Sequence, residues 1–139
     1  MVRIVAMWEH GWNVPIIEIN QWEMLLRSFK INKLFMCPVS GLLPYRNVGL
    51  EEHNDLYDVI KISKKFDIVF VDERGDMRLS EFKHPKNALY VFGKGSSDIY
   101  NMKKRSHKSV RIETPSKKPL MFGSEACAIV LYDRFMKER

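Results

Sequence analysis

Two stretches in the C-terminal half carry residue types that could bind a ligand, and the first is a glycine turn. Residues 91–99 (VFGKGSSDI) place two glycines one position apart, directly after a short apolar run. Glycine lets the backbone approach a ligand closely, and exposed N–H groups can then bind it. The third glycine of a dinucleotide fingerprint is absent, and the sequence is not a Walker loop. A plain tight turn therefore explains this stretch as well as a ligand loop does.

The second stretch is residues 110–133 (VRIETPSKKPLMFGSEACAIVLYD). It runs from a short strand through a proline-bearing loop and a glycine turn into an apolar helix. Such a helix often serves only the core of a small domain. This second stretch follows the glycine turn along the chain, and the combination suggests that the two stretches share a site.

The positive charge of the chain is concentrated in the same region. Residues 83–118 hold ten basic and two acidic residues, a net of +8, whereas the whole chain carries +6. One basic segment on a nearly neutral chain is typical of a surface that binds a polyanion. A solvated lysine-rich loop is the alternative. The densest run, residues 103–108, contains Lys103, Lys104, Arg105 and Lys108.

Other chemistries find less support in the sequence. Cys37 and Cys127 lie far apart, so we expect neither a disulfide framework nor a cysteine-based zinc site, and a cytoplasmic location fits best. No His, Asp or Glu cluster has metal-ligand spacing, and no Ser-His-Asp arrangement is indicated. No apolar stretch approaches the ~20 residues that a membrane span needs. His10, after the first apolar run, is a candidate for contact with a substrate.

Strands and helices alternate around these stretches. Continuous apolar runs, typical of strands buried on both faces of a parallel sheet, occupy residues 3–8, 33–39, 67–72, 88–92 and 110–112. Helical segments lie between several of them. The length and this alternation predict one α/β domain, residues 1–139, with a mainly parallel sheet flanked by helices.

The helical segments have recognisable signals. Residues 19–30 carry an apolar stripe at helical spacing, with Asn20 as the expected N-cap. Residues 51–63 open with acids, which suits the helix dipole. Ser124 is expected to cap the last helix, and the unbroken apolar run 126–132 predicts that this helix is buried nearly all round.

Taken in order, the two stretches resemble the SPOUT superfamily of knotted RNA methyltransferases. The SpoU-like 2′-O-ribose branch typically reads V-F-G-x-E-x-x-G, then an I-P element, then S-L-N-V-S-x-A-x-x-I-x-L-Y-E. Val91, Phe92 and Gly93 match the first motif, and residues 25–29 (LLRSF) look like the family's I-I-R-T-A motif. The later motifs are matched by Ile112, Pro115, Ser124, Ala126, Ile129, Leu131 and Tyr132, with Asp133 for the final acid.

The resemblance implies a C-terminal trefoil knot whose loops bind S-adenosylmethionine (SAM), with no metal. An apolar slot for adenine would be formed by Phe92, Gly93, Ile112, Met121 and Ala126. Ser124 and Glu125 would meet the methionyl amine and carboxylate. The other cofactor-binding positions that it implies are Lys94, Gly95, Thr114 and Phe122.

The resemblance also implies a homodimer that acts on RNA, either tRNA or rRNA. Arg27 matches the family's catalytic arginine, and it would stabilise the developing alkoxide and clamp the adjacent phosphate. RNA phosphates would be bound by Lys103, Lys104, Arg105 and Lys108.

Several positions depart from the family pattern. Gln21 and Phe122 each stand where the family has asparagine, while Gly95 and Asp98 replace a glutamate and a glycine. Two alternatives to 2′-O methylation therefore stay open. One is a SPOUT-like RNA-binding protein without catalysis, and the other is a base methyltransferase with Glu125 or Asp98 as the base. A doubly wound nucleotide-binding protein without a knot is a further alternative.

Overall fold

The fold is built on one seven-stranded sheet. The computed structural model describes residues 1–7, 15–37, 49–93, 99–116 and 121–139. In chain order the strands are β1 (Val2–Met7), β2 (Lys33–Cys37), β3 (Leu50–Glu52), β4 (Asp67–Val71), β5 (Met77–Arg78), β6 (Ala88–Phe92) and β7 (Lys108–Arg111). They lie in the order β3-β2-β1-β6-β4-β7-β5, and every pairing is parallel.

Apolar runs locate the long strands and miss two short ones. The run 88–92 coincides with β6, and the other four runs overlap β1, β2, β4 and β7. Trp8, Pro38 and Val39, at the ends of two runs, lie outside the described residues. The short strands β3 and β5 escape the prediction because one carries two glutamates and the other is exposed.

Side chains of the central strands alternate between two hydrophobic cores, one on each face of the sheet. In β6, Ala88, Tyr90 and Phe92 enter one core, and Leu89 and Val91 enter the other. The helices α1 (Pro15–Ser28) and α3 (Gly123–Glu138) cover the first core. The helix α2 (Leu56–Lys61) and a 3-10 helix at Ile99–Met102 cover the second. Burial on both faces is the physical reason for continuous apolar runs.

Two predicted helix starts are wrong. The first helix begins at Pro15 rather than after Asn20, which is an exposed residue inside α1. Proline is common at the first helical position, where its missing N–H has no intrahelical role. The second begins at Leu56, because Glu51 and Glu52 belong to β3. Its N-cap is Asp55, whose carboxylate accepts the N–H of Asp58 at 3.1 Å.

The terminal helix is only half buried, so the prediction of burial nearly all round is wrong. Cys127, Val130 and Leu131 face the core. The opposite side of α3 exposes large apolar side chains, between two-fifths and three-fifths of their surface: Ile129, Tyr132, Phe135 and Met136. The apolar composition of α3 therefore serves two surfaces, the core and an outer face.

A buried hydrogen-bond network around His84 holds α3 to the sheet. Tyr90 Oη lies 2.7 Å from His84 Nδ1, and Asp133 Oδ2 lies 2.8 Å from His84 Nε2. Arg134 donates to Tyr90 Oη at 2.9 Å. The bonds balance when a neutral His84 accepts from Tyr90 and donates to Asp133. Burial lowers the pKa of His84 against the opposing effect of Asp133, and burial raises the pKa of Tyr90 to about 12.

The order of the strands creates a switch point beside β6. The chain runs outward from β1 to β2 and β3, then crosses to β4 on the far side of β6. Because α1 and α2 lie on opposite faces, the sheet is doubly wound, and β6 fills the position between its two halves. Ligands of such sheets bind at the carboxyl ends of the strands near this point. The predicted α/β class with a parallel sheet and flanking helices is confirmed.

Candidate functional site

The first turn of α3 packs against the carboxyl end of β6. A Cβ atom on Gly123 would lie 3.4 Å from Trp22 Cζ2, 3.6 Å from Gly93 O and 3.7 Å from Phe92 Cβ. The Phe92 ring is buried, with its centroid 6.2 Å from that of Trp22. Residues from α1, β6 and α3, more than 90 positions apart at the extremes, therefore meet at the switch point.

A side-chain hydrogen bond joins α1 to α3 at this junction. Ser124 Oγ lies 3.2 Å from Gln21 Oε1, to which it donates, and Ser124 is buried. The sequence predicts that Ser124 caps the helix, but the residue at the cap position is Phe122, and the Ser124 hydroxyl is used between helices instead. Gln21, which stands where the family has asparagine, thus contacts Ser124, a residue that matches the family's motif at the start of the last helix.

The residues that flank Ser124 complete the start of α3. Glu125 Oε1 accepts the Phe122 N–H at 2.8 Å, which satisfies one of the donors that a helix start leaves unpaired. Phe122 is exposed, whereas Met121 and Ala126 are half-buried. All five positions that the resemblance assigns to this turn therefore lie within three residues of Gly123, which packs near Gly93.

The remaining predicted cofactor positions are less close to this junction. Ile112 and Thr114 follow β7, and Ile112 packs against the core that α3 covers. Thr114 Oγ1 donates to Ser116 O at 2.9 Å. Because β4 separates β7 from β6, the two strands are about 10 Å apart at the same edge of the sheet. Lys94, Gly95, Asp98 and His10 lie outside the described residues.

One polar group at the junction is buried without a partner. Within the described ranges, Trp22 Nε1 has no hydrogen-bond acceptor, and the residue is 2% exposed. Sequence reasoning assigns Trp22 only to the apolar stripe of α1, since its spacing is that of a core residue. The sequence does not show that its N–H is buried without an acceptor, because this depends on the packing of α3 beside it.

The structure does not bring Arg27 to this junction within one chain. Arg27 is exposed in the last turn of α1, which runs from the carboxyl edge of the sheet to the amino edge, where β2 begins. It lies six residues after Gln21, about 9 Å further along the helix axis. It shares the exposed face of α1 with Ile17 and Met24.

The basic segment lies at the opposite end of β7 from Ile112. Lys103 Nζ lies 3.5 Å from Asp76 Oδ2, so its charge is partly engaged, while Lys104, Arg105 and Lys108 are exposed. The His107 ring stacks on Phe70 at 5.7 Å. Burial and then the nearby lysines lower the pKa of His107. The length of β7, about 10 Å, separates this segment from the loop of Ile112.

A cavity of about 560 Å³ opens at the amino edge of the sheet, between the end of α1 and α3. Phe29 and Leu131 line it, and Tyr132 and Phe135 contribute to it from the exposed face of α3. None of its lining residues is a predicted cofactor position. In the described part of the chain there is no His, Cys, Asp or Glu group suited to a metal, and no helix is long and apolar enough to span a membrane.

No protein-family model matches the chain, and no curated protein matches it in sequence. Solved structures do match it along nearly its whole length. A structure on the 2-OH methylation of C/U34 on tRNA is 15% identical, with TM-score 0.71, 99% of this chain and 97% of that one covered. A TrmH/SpoU tRNA modifying enzyme from A. aeolicus is 14% identical, with TM-score 0.72, 99% of this chain and 76% of that one covered.

A third match carries a cofactor. The SpoU methyltransferase AviRb from Streptomyces viridochromogenes, solved in complex with AdoMet, is 12% identical, with TM-score 0.73. The match covers 99% of this chain and 57% of AviRb. These likenesses confirm the predicted resemblance to SpoU methyltransferases at the level of the fold.

Proposed function

We propose that this chain is a SAM-dependent RNA methyltransferase that methylates a ribose 2′-oxygen of tRNA or rRNA. The single observation that carries the proposal is the junction of Gly93, the first turn of α3 and Gln21 at the switch point of a SpoU-like fold. Three similar structures support it: one on the 2-OH methylation of C/U34 on tRNA, a TrmH/SpoU tRNA modifying enzyme, and the SpoU methyltransferase AviRb with AdoMet bound.

The residues at the junction fit SAM. Ile112, half-buried at the same edge of the sheet, offers apolar surface for adenine, and the backbone of Gly93 and the first turn of α3 offer polar groups. The unpaired Trp22 N–H adds a donor that requires an acceptor from outside the described residues. SAM would supply a methyl group activated by its sulfonium, so the chain's own part is to align the acceptor oxygen behind that group. Lys94, Gly95 and Thr114 complete the proposed cofactor-binding set.

We propose Arg27 as the residue that stabilises the developing alkoxide, acting in the site of a second copy of the chain. Its guanidinium stays protonated and can bind an oxyanion and a phosphate together. Arg27 lies near the amino edge of its own sheet, whereas the junction lies at the carboxyl edge. This separation favours a role in the partner's site over a role in its own. Arg27→Ala should abolish turnover and leave SAM affinity unchanged.

A homodimer is part of the proposal. The outer face of α3 and the exposed face of α1 together present Ile17, Met24, Ile129 and Tyr132 to solvent, an apolar area that a second copy would cover. Ile129→Glu should convert a dimer to a monomer in analytical ultracentrifugation. Tyr57→Glu, at an exposed apolar residue on α2, is the matched control.

RNA would lie against Lys103, Lys104, Arg105 and Lys108, and we propose a cytoplasmic location. A C-terminal trefoil knot is part of the proposal, and residues 94–98 and 117–120 lie outside the described residues. Limited proteolysis between β7 and α3, followed by unfolding, would test the knot.

Calorimetry with SAM tests the proposal first. We expect micromolar binding, and no binding at millimolar SAM would favour the RNA-binding protein without catalysis. Nuclease digestion and mass spectrometry of RNA methylated by the chain then locate the methyl group. A methyl on a base rather than a ribose would establish the base methyltransferase instead.

A further inference from the structure

Trp22 places a buried hydrogen-bond donor where the described residues offer it no acceptor. Its indole is buried between α1, β6 and α3, and Nε1 belongs to the same ring edge as Cζ2, the atom nearest to Gly123. Within the described residues Nε1 is unpaired. Buried donors are almost always satisfied, so an orphaned N–H beside a proposed ligand site indicates a partner that the chain itself does not supply.

The surroundings of this N–H favour an anionic partner. The first turn of α3 leaves the N–H groups of Gly123 and Ser124 without bonds inside the described chain, and α3 is a 16-residue helix whose positive end points here. The Ser124 hydroxyl proton is already used on Gln21. Glu125 Oε1 accepts the Phe122 N–H, so the junction still has unpaired backbone donors that an acceptor from outside the described residues could satisfy.

We propose that the Trp22 N–H and the first turn of α3 hold the carboxylate of the methionyl part of SAM, an inference that rests on the proposed function. The carboxylate is the one anionic group of that cofactor and a strong acceptor, whereas its ammonium and sulfonium groups are positive. Glu125, in the same turn, accepts the Phe122 N–H through Oε1, and its second carboxylate oxygen would take the ammonium. Trp22 is therefore a cofactor-binding residue in this proposal.

The test compares two probes in binding to wild type and to Trp22→Phe, which keeps an aromatic ring and removes the N–H. S-adenosylhomocysteine carries the carboxylate, and 5′-methylthioadenosine lacks the whole amino acid part. Calorimetry should show S-adenosylhomocysteine binding weakened roughly tenfold, about 1.4 kcal/mol, with 5′-methylthioadenosine binding unchanged. Because phenylalanine is smaller than the buried tryptophan, circular dichroism first checks that the unliganded variant is folded at the temperature of the titration.

Tyr100→Phe is the matched control, since it removes an aromatic hydroxyl bound to Arg74 O at 3.0 Å on the other face of the sheet. Its affinity for both probes should equal that of wild type. Equal affinity of wild type and Trp22→Phe for S-adenosylhomocysteine would overturn the inference, as would an equal loss for both probes. A wild-type chain that binds neither probe would overturn the proposed function itself.

An NMR measurement on the wild-type chain keeps the inference testable should Trp22→Phe not fold. The chain has three tryptophans, so the Trp22 indole resonance can be assigned by elimination with Trp8→Phe and Trp12→Phe. S-adenosylhomocysteine should move that resonance downfield, and 5′-methylthioadenosine should not. A Trp22 indole chemical shift that neither probe changes would contradict the inference.

Discussion

Replacing Gly75 by alanine should strongly destabilise the fold, because backbone rather than side chain occupies the space that a Cβ needs. Gly75 lies in the turn between β4 and β5, which packs on β7. A Cβ there would lie 2.2 Å from Val110 C and 2.4 Å from Val110 O. No rotamer change can relieve these contacts, so the whole turn must move away from β7.

The cost can be worked out from the bonds that this movement breaks. Asp72 N–H donates to Val110 O at 3.0 Å, Asp76 N–H donates to Ser109 Oγ at 2.9 Å, and Arg111 donates to Gly75 O at 2.9 Å. At about 1 kcal/mol each, their loss lowers the free energy of unfolding by about 3 kcal/mol. For a domain of this size that corresponds to a fall of about 10 °C in melting temperature.

Thermal and urea unfolding followed by circular dichroism measure this effect. Gly123→Ala is the matched control, since its Cβ would meet no atom closer than 3.4 Å. We expect the control to stay within about 1 kcal/mol of wild type, as alanine is no worse than glycine in a helix. A Gly75→Ala protein that melts within about 2 °C of wild type would refute the reasoning, because the close approach would then not be required.

Three further predictions concern a helix end, a buried histidine and the basic segment. Lys30 lies two residues beyond the end of α1 with φ 53°, a conformation that favours glycine, so Lys30→Gly should raise the free energy of unfolding by about 0.5–1 kcal/mol in urea titrations. Lys61→Gly, at the last position of α2, should lower it. The pKa of His84 is lower in the folded chain than in the unfolded one, so the unfolded state binds more protons and stability should fall as the pH drops below about 6.5. Urea titrations from pH 8 to 5 should show a smaller fall for His84→Gln. Neutralising Lys104 and Arg105 together should weaken RNA binding. It should also lower the slope of log affinity against log salt concentration by the amount expected for about two phosphate contacts, and an unchanged slope would place RNA elsewhere.

The class of the fold follows from the sequence because burial on both faces leaves a strong signal. Strand β6 is apolar at every position, and β1 and β4 are apolar at all positions but one, a pattern that is typical of parallel sheets covered by helices on both faces. The short edge strands leave no such signal. The position of β6 between β1 and β4 is also invisible in the sequence, because strand order depends on which pairs of strands meet and not on local pattern.

The candidate site was predictable where backbone motifs define it and unpredictable where packing does. Gly93 and Ser124 carry motif matches, and the fold brings their surroundings together. Trp22 looks like any core residue in the sequence, and its unpaired N–H exists only because α3 closes over it. The charge of residues 103–108 lies between the two motifs along the chain, yet the length of β7 separates it from Ile112 in space.

The position of Arg27 allows a decisive test of whether each site is shared between two chains. If Arg27 serves the partner's site, a heterodimer of Arg27→Ala with a variant that cannot bind SAM has one site with both parts intact. Gly123→Leu is such a variant, since atoms beyond its Cβ would fill the space beside Trp22 and Gly93. Two inactive proteins, each folded by circular dichroism, should then regain roughly a quarter of wild-type activity after mixing and reassociation, because half of the dimers are mixed. If Arg27 acts in its own chain, neither site of the mixed dimer is complete, and no activity should return.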